Sequence, residues 1–99
     1  MRTTDTLIQL LNQHRSALQE RFSVRRIGLF GSVVQGLARP DSDVDVLVEF
    51  DRPTFDHYME LKFFLEDLFH SPVDLVLADT LKPRIKSRVL SETVYEKGA

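Results

Sequence analysis

The sequence predicts an α/β domain in which a small β-sheet is covered by helices, in the order α-β-α-β-α-β-α. Segments with helical spacing of apolar side chains alternate with short runs rich in Val, Ile, Leu and Phe. Gly, Pro, Asp and Ser residues separate these segments. Such an alternation is typical of a sheet with helices packed against it. We expect one domain over residues 1–99, because no repeat, low-complexity tract or linker is visible.

The first helix and the first strand are predicted from the spacing of apolar residues. Residues 6–22 carry a helical stripe, and Thr4 or Asp5 can cap the start of this helix. Val24 to Phe30 follows as a strand that ends at Gly31. The stripe that should face the core consists of Leu7, Ile8, Leu11, Leu18 and Phe22.

The middle of the chain is predicted to turn before a second strand begins. We expect one or two helical turns over residues 32–37 and a break at Pro40 and Asp41. Asp43 to Phe50 then forms the second strand. The apolar residues between its acids indicate that one of its faces is buried and the other is functional.

The second half predicts a helix, a strand and a last helix. Thr54 can cap a helix that begins at Phe55 or Asp56 and ends near Phe69, and residues 73–77 form the third strand. The last helix is expected to be capped by Asp79 or Thr80, with a proline tolerated in its first turn at Pro83.

Composition narrows the class of protein. The chain has 13 Lys and Arg residues, 15 Asp and Glu residues and a formal net charge of −2, whereas a general nucleic-acid-binding domain is expected to be basic. It contains no cysteine, which excludes disulfides and thiolate metal sites and fits a reducing compartment, the cytoplasm. Neither a signal-peptide core nor a membrane span is visible.

Carboxylates on the second and third strands are the main candidates for chemistry. Asp43 and Asp45 are two residues apart, so their side chains point to the same face of a strand, and Asp74 lies near the start of the next strand. Three clustered aspartates would repel one another unless a divalent cation neutralised them. Mg²⁺ prefers hard oxygen ligands and is usually bound by one or two carboxylates together with substrate phosphates. A pair of such ions can activate an attacking oxygen and stabilise a leaving one.

A Gly-Ser turn precedes these acids. Gly31 allows another group to approach the backbone closely, and Ser32 could hold phosphate oxygens with its N–H group and hydroxyl. The alternative is a plain strand-to-helix cap, with the aspartates exposed or paired with arginines. A calcium loop of the EF-hand type is excluded, because Val46 stands where that loop needs Gly and Arg52 where it needs Glu.

At these residues the chain resembles the DNA polymerase β-like nucleotidyltransferase superfamily, and within it the minimal, MNT-type branch. The superfamily pattern is Gly-Ser, here followed by ten residues, then Asp-x-Asp with apolar residues after it, and a third Asp on a later strand. The resemblance extends to residues 39–43 and 81–95, so it covers nearly the whole chain. It implies the superfamily's fold, a small mixed sheet flanked by helices. The matching residues are Gly31, Ser32, Asp43, Asp45 and Asp74.

The resemblance implies that a hydroxyl attacks the α-phosphorus of a nucleoside triphosphate, usually ATP, and that pyrophosphate leaves. Asp43 and Asp45 would hold two Mg²⁺ ions, and Asp74 would complete the metal site that activates the hydroxyl. Catalysis of this kind is mostly positioning and charge neutralisation. The nucleotide-binding roles fall to Gly31, Ser32 and Arg39.

One departure from the pattern of the minimal branch matters. Its members often read Gly-Ser-x-Ala-Arg-Gly, whereas Gln35 stands here at the place of the Arg. A positively charged side chain that could contact a phosphate is therefore replaced by a neutral one. Weaker nucleotide binding than in those members thus stays an open alternative. Loss of activity is not implied, because the three acids are intact.

The acceptor must come from another molecule, because the larger superfamily enzymes carry an extra acceptor domain and 99 residues leave no space for one. The minimal branch resembles the antitoxin half of two-gene modules whose other half is a HEPN-domain ribonuclease. The resemblance thus implies transfer of AMP to a tyrosine of a HEPN toxin. The alternative is a non-catalytic antitoxin that occludes its HEPN partner. A homo-oligomer and a hetero-oligomer with the toxin both stay open.

The helix predicted to end near Phe69 carries a second apolar stripe. Met59 and Phe63 fall near the side opposite the core-facing positions, and Phe64 flanks them. We hypothesise that this second stripe docks a partner, with packing by another helix of the same chain as the alternative. The core-facing positions are Tyr58, Leu61, Leu65, Leu68 and Phe69.

Overall fold

The computed structural model describes residues 3–39 and 41–96. Within these ranges, one mixed four-stranded sheet has the order β3-β2-β1-β4. β1 pairs antiparallel with both β2 and β4, and β2 pairs parallel with β3. In chain order the elements are α1 (Thr4–Gln13), α2 (Arg15–Phe22), β1 (Val24–Phe30), β2 (Val44–Phe50), α3 (Phe55–Phe69), β3 (Val73–Leu77), a short 3₁₀ helix (Ala78–Thr80), α4 (Pro83–Glu92) and β4 (Val94–Tyr95).

The hydrophobic core lies on one face of this sheet. Alternate residues of β2, from Val44 to Phe50, belong to one buried cluster with side chains of α1, α2 and α3. All five residues of the stripe predicted over residues 6–22 are buried in it. Because side chains alternate along a strand, the other face of β2 carries half-buried Asp45 and Glu49 with buried Leu47 between them. The predicted fold class is therefore confirmed, and the two acids of β2 point away from the core.

The first predicted helix is in fact two helices. α1 begins at Thr4, so Thr3 is the cap rather than Thr4 or Asp5, and its Oγ1 accepts a hydrogen bond of 3.2 Å from the Thr6 N–H. His14 separates α1 from α2 with a backbone φ of −106° and ψ of 18°. Its ring meets Phe64 edge-on, with the centroids 5.6 Å apart. A tertiary contact thus accompanies the break, which apolar spacing could not indicate.

Instead of the helical turns expected over residues 32–37, the chain forms a turn that is closed by backbone hydrogen bonds. The Gln35 N–H donates to the Gly31 carbonyl at 3.1 Å, and the Leu37 N–H donates to the Ser32 carbonyl at 2.9 Å. Gly31 and Gly36 have φ values of +73° and +74°, which favour glycine and end regular helix at both sides. Of the predicted break, Pro40 lies outside the described residues, and Asp41 lies in a turn.

The second half follows the prediction closely. α3 has Thr54 as its cap, whose Oγ1 accepts from the His57 N–H at 3.1 Å, and β3 has the predicted bounds. Pro83 is the first residue of α4. The cap predicted at Asp79 or Thr80 is wrong, because both residues belong to the 3₁₀ helix. In the described part of the chain, no helix is long and apolar enough to cross a membrane.

β4 was not predicted, because two residues give no sequence signal. It pairs with Gly28 and Leu29 of β1. A Cβ atom at Gly28 would lie 2.7 Å from Thr93 Cγ2 and 2.7 Å from the Val94 carbonyl oxygen. The missing side chain of Gly28 therefore makes room for the end of the chain on the face of the sheet that carries Asp45.

Candidate functional site

Two strand registers bring the predicted acids together. The antiparallel register places Phe30 opposite Asp45, and the parallel register places Asp45 opposite Asp74. Asp43 directly precedes β2, is exposed, and lies on the same side of the chain as Asp45 by strand alternation. The turn at Gly31, which follows Phe30, therefore begins beside Asp45.

Gly31 and Asp45 are in direct contact. A Cβ atom at Gly31 would collide with Oδ2 of Asp45 and would lie 2.9 Å from its Cγ. The left-handed backbone of Gly31, with φ +73°, is also a conformation that favours glycine. The absence of a side chain at Gly31 thus leaves the space that the Asp45 carboxylate occupies.

The charge state of Asp45 reflects this crowding. Burial raises the pKa of the Asp45 carboxyl above its usual range, and the nearby Asp74 and, less strongly, Asp43 carboxylates raise it further. A hydrogen bond from the Ser32 backbone N–H opposes this increase in pKa. The Ser32 amide is therefore engaged by Asp45, so phosphate binding at Ser32 would fall chiefly to its half-buried side chain.

A second turn holds the segment before β2 in place. The Ser42 Oγ accepts from the Arg39 N–H at 2.9 Å, and the Ser42 N–H donates to the Arg39 carbonyl at 3.0 Å. The Arg39 side chain itself is on the exposed surface of this turn. The Val44 N–H donates to the Pro72 carbonyl at 2.9 Å, which joins the approach to β2 to the approach to β3. The arrangement leaves Arg39 accessible to a ligand near Asp43.

The donor set fits a hard divalent cation. Among residues 3–39 and 41–96, no three His, Asp or Glu side chains already stand in an arrangement that would hold a metal ion by themselves. Mg²⁺ does not need such an arrangement, because it commonly keeps several waters and takes one or two carboxylates plus substrate phosphates. Asp45 and Asp74 lie side by side, and the negative charge of Asp74 raises the pKa of Asp45. A cation between them would relieve this repulsion.

Two residues that contact the acid-bearing strand were missed by sequence reasoning. The Val73 N–H donates to Glu66 Oε2 at 3.0 Å, and the Tyr58 hydroxyl donates to the Leu75 carbonyl at 2.6 Å. Both donor–acceptor pairs join α3 to β3 on either side of Asp74 along the chain. Tyr58 had been predicted only as a core-facing residue, and no spacing rule connects Glu66 to a strand seven residues later.

The second apolar stripe of α3 is partly covered by the chain itself. Phe64 packs on Phe22 of α2 with ring centroids 5.1 Å apart, as the alternative of packing within the chain predicts for that residue, and Met59 is half-buried. Phe63 is 56% exposed, so within residues 3–39 and 41–96 it stays open to a partner. Phe55, 76% exposed, extends the row at the start of α3. Exposed acids flank the row, namely Asp56, Glu60 and Asp67.

Comparison with known proteins gives consistent results. A model of the nucleotidyltransferase domain family matches residues 11–96. Protein adenylyltransferase MntA of Thermococcus cleftensis is 46% identical over 96 residues, which cover 96% of this chain and 97% of that protein.

Solved structures show the same fold. One described as a minimal nucleotidyltransferase superposes with a TM-score of 0.78 at 36% identity, covering 94% of this chain and 95% of that one. A chain from the complex of tri-AMPylated HEPN toxin of Shewanella oneidensis with MNT antitoxin has a TM-score of 0.62 at 22% identity, covering 93% of this chain and 73% of that one. The latter likeness concerns the fold alone. The family match over most of the chain, together with the extensive relationship to MntA, establishes that this protein belongs to the nucleotidyltransferase domain family.

Proposed function

We propose that this nucleotidyltransferase transfers AMP from ATP to a hydroxyl of a separate HEPN-domain protein and thereby acts as its antitoxin. The proposed acceptor is a tyrosine hydroxyl. The observation that supports this most directly is the contact of Gly31 with Asp45, at the level where Asp45 and Asp74 are paired in register. A Gly-Ser turn for phosphates and carboxylates for cations thus lie at one end of the sheet.

The proposed reaction places few chemical demands on the protein. A bond forms between the acceptor oxygen and the α-phosphorus, the bond from that phosphorus to the bridging oxygen breaks, and pyrophosphate leaves with the electron pair. The hydroxyl proton is released to solvent. Positioning and charge neutralisation supply most of the rate enhancement in phosphoryl-transfer reactions of this kind.

Each site residue has a proposed role. Mg²⁺, held by Asp43, Asp45 and Asp74, would neutralise phosphate charge and lower the pKa of the acceptor hydroxyl. The Ser32 side chain and the backbone at Gly31 orient the triphosphate, and exposed Arg39 offers a guanidinium to its phosphates. Gln35 is exposed and carries no charge, so it adds hydrogen bonds at most.

The partner assignment draws on the relatives. MntA of Thermococcus cleftensis carries the name protein adenylyltransferase, and the Shewanella oneidensis complex joins a tri-AMPylated HEPN toxin to an MNT antitoxin. These names favour a hydroxyl supplied by a partner protein.

Intact mass spectrometry tests the proposal. The protein encoded beside this gene is incubated with ATP, Mg²⁺ and either wild-type protein or the Asp43→Asn/Asp45→Asn variant. We expect a mass gain of one or more AMP units with wild type and none with the variant. Asp41→Asn is the matched control, because this neighbouring aspartate is exposed in a turn and has no proposed role, so it should transfer AMP at the wild-type rate.

Two results would contradict the proposal. A mass gain that persists with the double variant would show that Asp43 and Asp45 are not the catalytic acids. No gain with any protein, combined with tight complex formation by wild type and double variant alike, would favour an antitoxin that acts by occlusion. Tandem mass spectrometry of a modified partner would then identify the acceptor residue and test the tyrosine assignment.

A further inference from the structure

β3 is an edge strand that carries a proposed metal ligand. In the sheet order β3-β2-β1-β4, β3 has a strand neighbour on one side only. Half of the backbone groups of such a strand point away from the sheet and need other partners. The parallel register with β2 places Asp74 opposite Asp45, and whatever holds the free edge helps to keep it there.

Two side chains of α3 hold the free edge of β3. Glu66 Oε2 accepts from the Val73 N–H at 3.0 Å, immediately before Asp74. The Tyr58 hydroxyl donates to the Leu75 carbonyl at 2.6 Å, immediately after Asp74. The short O–H···O distance indicates a well-formed hydrogen bond. Asp74 is thus bracketed by two bonds from one helix.

α3 is well suited to fix the position of β3 in the sheet. Leu61 and Leu65, which lie between the two polar residues along the helix, are fully buried in the core. Tyr58 and Glu66 therefore project from a helix segment whose own position is set by packing. Glu66 also accepts from the Ser71 N–H with its backbone carbonyl, at 3.3 Å, so one residue holds both ends of the segment leading into β3.

We propose that Glu66 and Tyr58 are positioning residues that keep the Asp74 carboxylate beside the Asp45 carboxylate. This inference rests on the proposed function, because the position of Asp74 relative to Asp45 matters only if the two residues share a cation. Neither residue touches the substrates. Loss of either bond lets the edge strand shift, while the Gly31 contact and the antiparallel pairing of β1 with β2 leave Asp45 in place.

Conservative and disruptive variants separate this role from a general loss of stability. Glu66→Ala removes the acceptor for the Val73 N–H, whereas Glu66→Gln keeps an acceptor oxygen and removes only the charge. Tyr58→Phe removes one hydroxyl and keeps the ring. Glu92→Ala is the matched control, because Glu92 is an exposed glutamate on α4 with no proposed role in catalysis or partner binding.

The expected effect concerns the cation, not the nucleotide. Removing groups that orient metal ligands typically lowers metal affinity or activity about 10–100-fold. We expect Glu66→Ala and Tyr58→Phe to reduce kcat about tenfold and to raise the Mg²⁺ concentration needed for half-maximal rate. The KM for ATP should stay at the wild-type value, and Glu66→Gln and Glu92→Ala should resemble wild type throughout.

A second readout needs neither ATP nor a partner. Mn²⁺ is added to ¹⁵N-labelled protein, and paramagnetic broadening of the backbone amide signals is followed by NMR. In wild type the amides of Asp45 and Asp74 should both broaden. In Glu66→Ala and Tyr58→Phe, broadening of both amides should require more Mn²⁺, because the two residues are paired in register and Asp74 would contribute less to the shared site.

The outcomes are distinguishable. Wild-type kcat, Mg²⁺ dependence and Mn²⁺ broadening at Asp74 in both disruptive variants would overturn the inference. Glu66→Gln behaving like Glu66→Ala would also overturn it, because charge rather than the hydrogen bond would then matter. If Glu66→Ala fails to fold, Tyr58→Phe decides. If wild type transfers no AMP, the proposed function fails, and the Mn²⁺ experiment still decides whether α3 positions Asp74.

Discussion

Replacing Gly31 by alanine tests whether the glycine leaves the space that the Asp45 carboxylate needs for its proposed role. The new Cβ would collide with Asp45 Oδ2 and lie 2.9 Å from Asp45 Cγ. The backbone of the turn cannot easily move away, because the Gly31 carbonyl accepts from the Gln35 N–H at 3.1 Å. Asp45 is the mobile partner, so its carboxylate should rotate out of position.

The stability cost of this substitution comes mainly from the backbone. An L-residue in the left-handed region costs about 1–2 kcal/mol. For a domain of this size, each kcal/mol lowers Tm by about 4–8 °C. Gly36→Ala is the matched control, because Gly36 has φ +74°, against +73° at Gly31, and nothing lies within 4 Å of its added Cβ. Both variants should therefore lose similar stability.

Activity should separate the two variants. Displacement of a catalytic group by about 1 Å can cost about 100-fold in rate, so we expect a loss of that size for Gly31→Ala and a wild-type rate for Gly36→Ala. Tm is measured by thermal unfolding, and AMP transfer to the partner by intact mass at a temperature where both variants are folded. Equal transfer rates in the two alanine variants would refute the reasoning, because the Asp45 contact would then have no catalytic consequence.

Three further predictions concern other parts of the molecule. The raised pKa of Asp45 means that the folded state binds its proton more tightly than the unfolded chain, whose aspartate pKa is about 3.9. The stability contributed by neutral Asp45 is therefore lost as the pH rises from about 4 through the raised pKa. Asp45→Asn should lack this decline in stability, so in metal-free buffer at neutral pH it should melt at a higher temperature than wild type. Added Mg²⁺ should stabilise wild type only. Equal pH profiles of Tm for the two proteins would contradict the cause assigned to the pKa shift of Asp45. Met59→Glu/Phe63→Glu should stay folded with a modest loss of Tm, because Phe63 is exposed and Met59 is half-buried, but should lose complex formation with the proposed HEPN partner in size-exclusion chromatography. A folded double variant that still binds would remove the docking hypothesis. Gly28→Ala should cost about 1–3 kcal/mol in denaturant unfolding, because its Cβ would lie 2.7 Å from Thr93 Cγ2, and an unchanged midpoint would show that β4 is not tightly packed there.

Local patterns were sufficient for much of the fold. Thr54 marks a helix start that depends only on neighbouring backbone groups, and it was predicted. Pro83 was predicted in the first turn of the last helix and is its first residue, although the cap was placed too early in the chain. The buried stripe from Leu7 to Phe22 followed from helical spacing even though the helix is broken. The break itself was missed, because it coincides with the contact of His14 with Phe64, fifty residues away.

Sequence by itself determined which residues are candidates for the site: the Gly-Ser turn and the spaced aspartates are local patterns, and strand alternation predicts that Asp43 and Asp45 point to one side. Only the tertiary structure decided how they meet. The parallel register of β3 sets Asp74 beside Asp45, the missing side chain of Gly31 admits the Asp45 carboxylate, and α3 holds the edge of β3. These contacts join residues distant along the chain, and their geometry depends on packing between elements, which no short-range pattern of residues encodes.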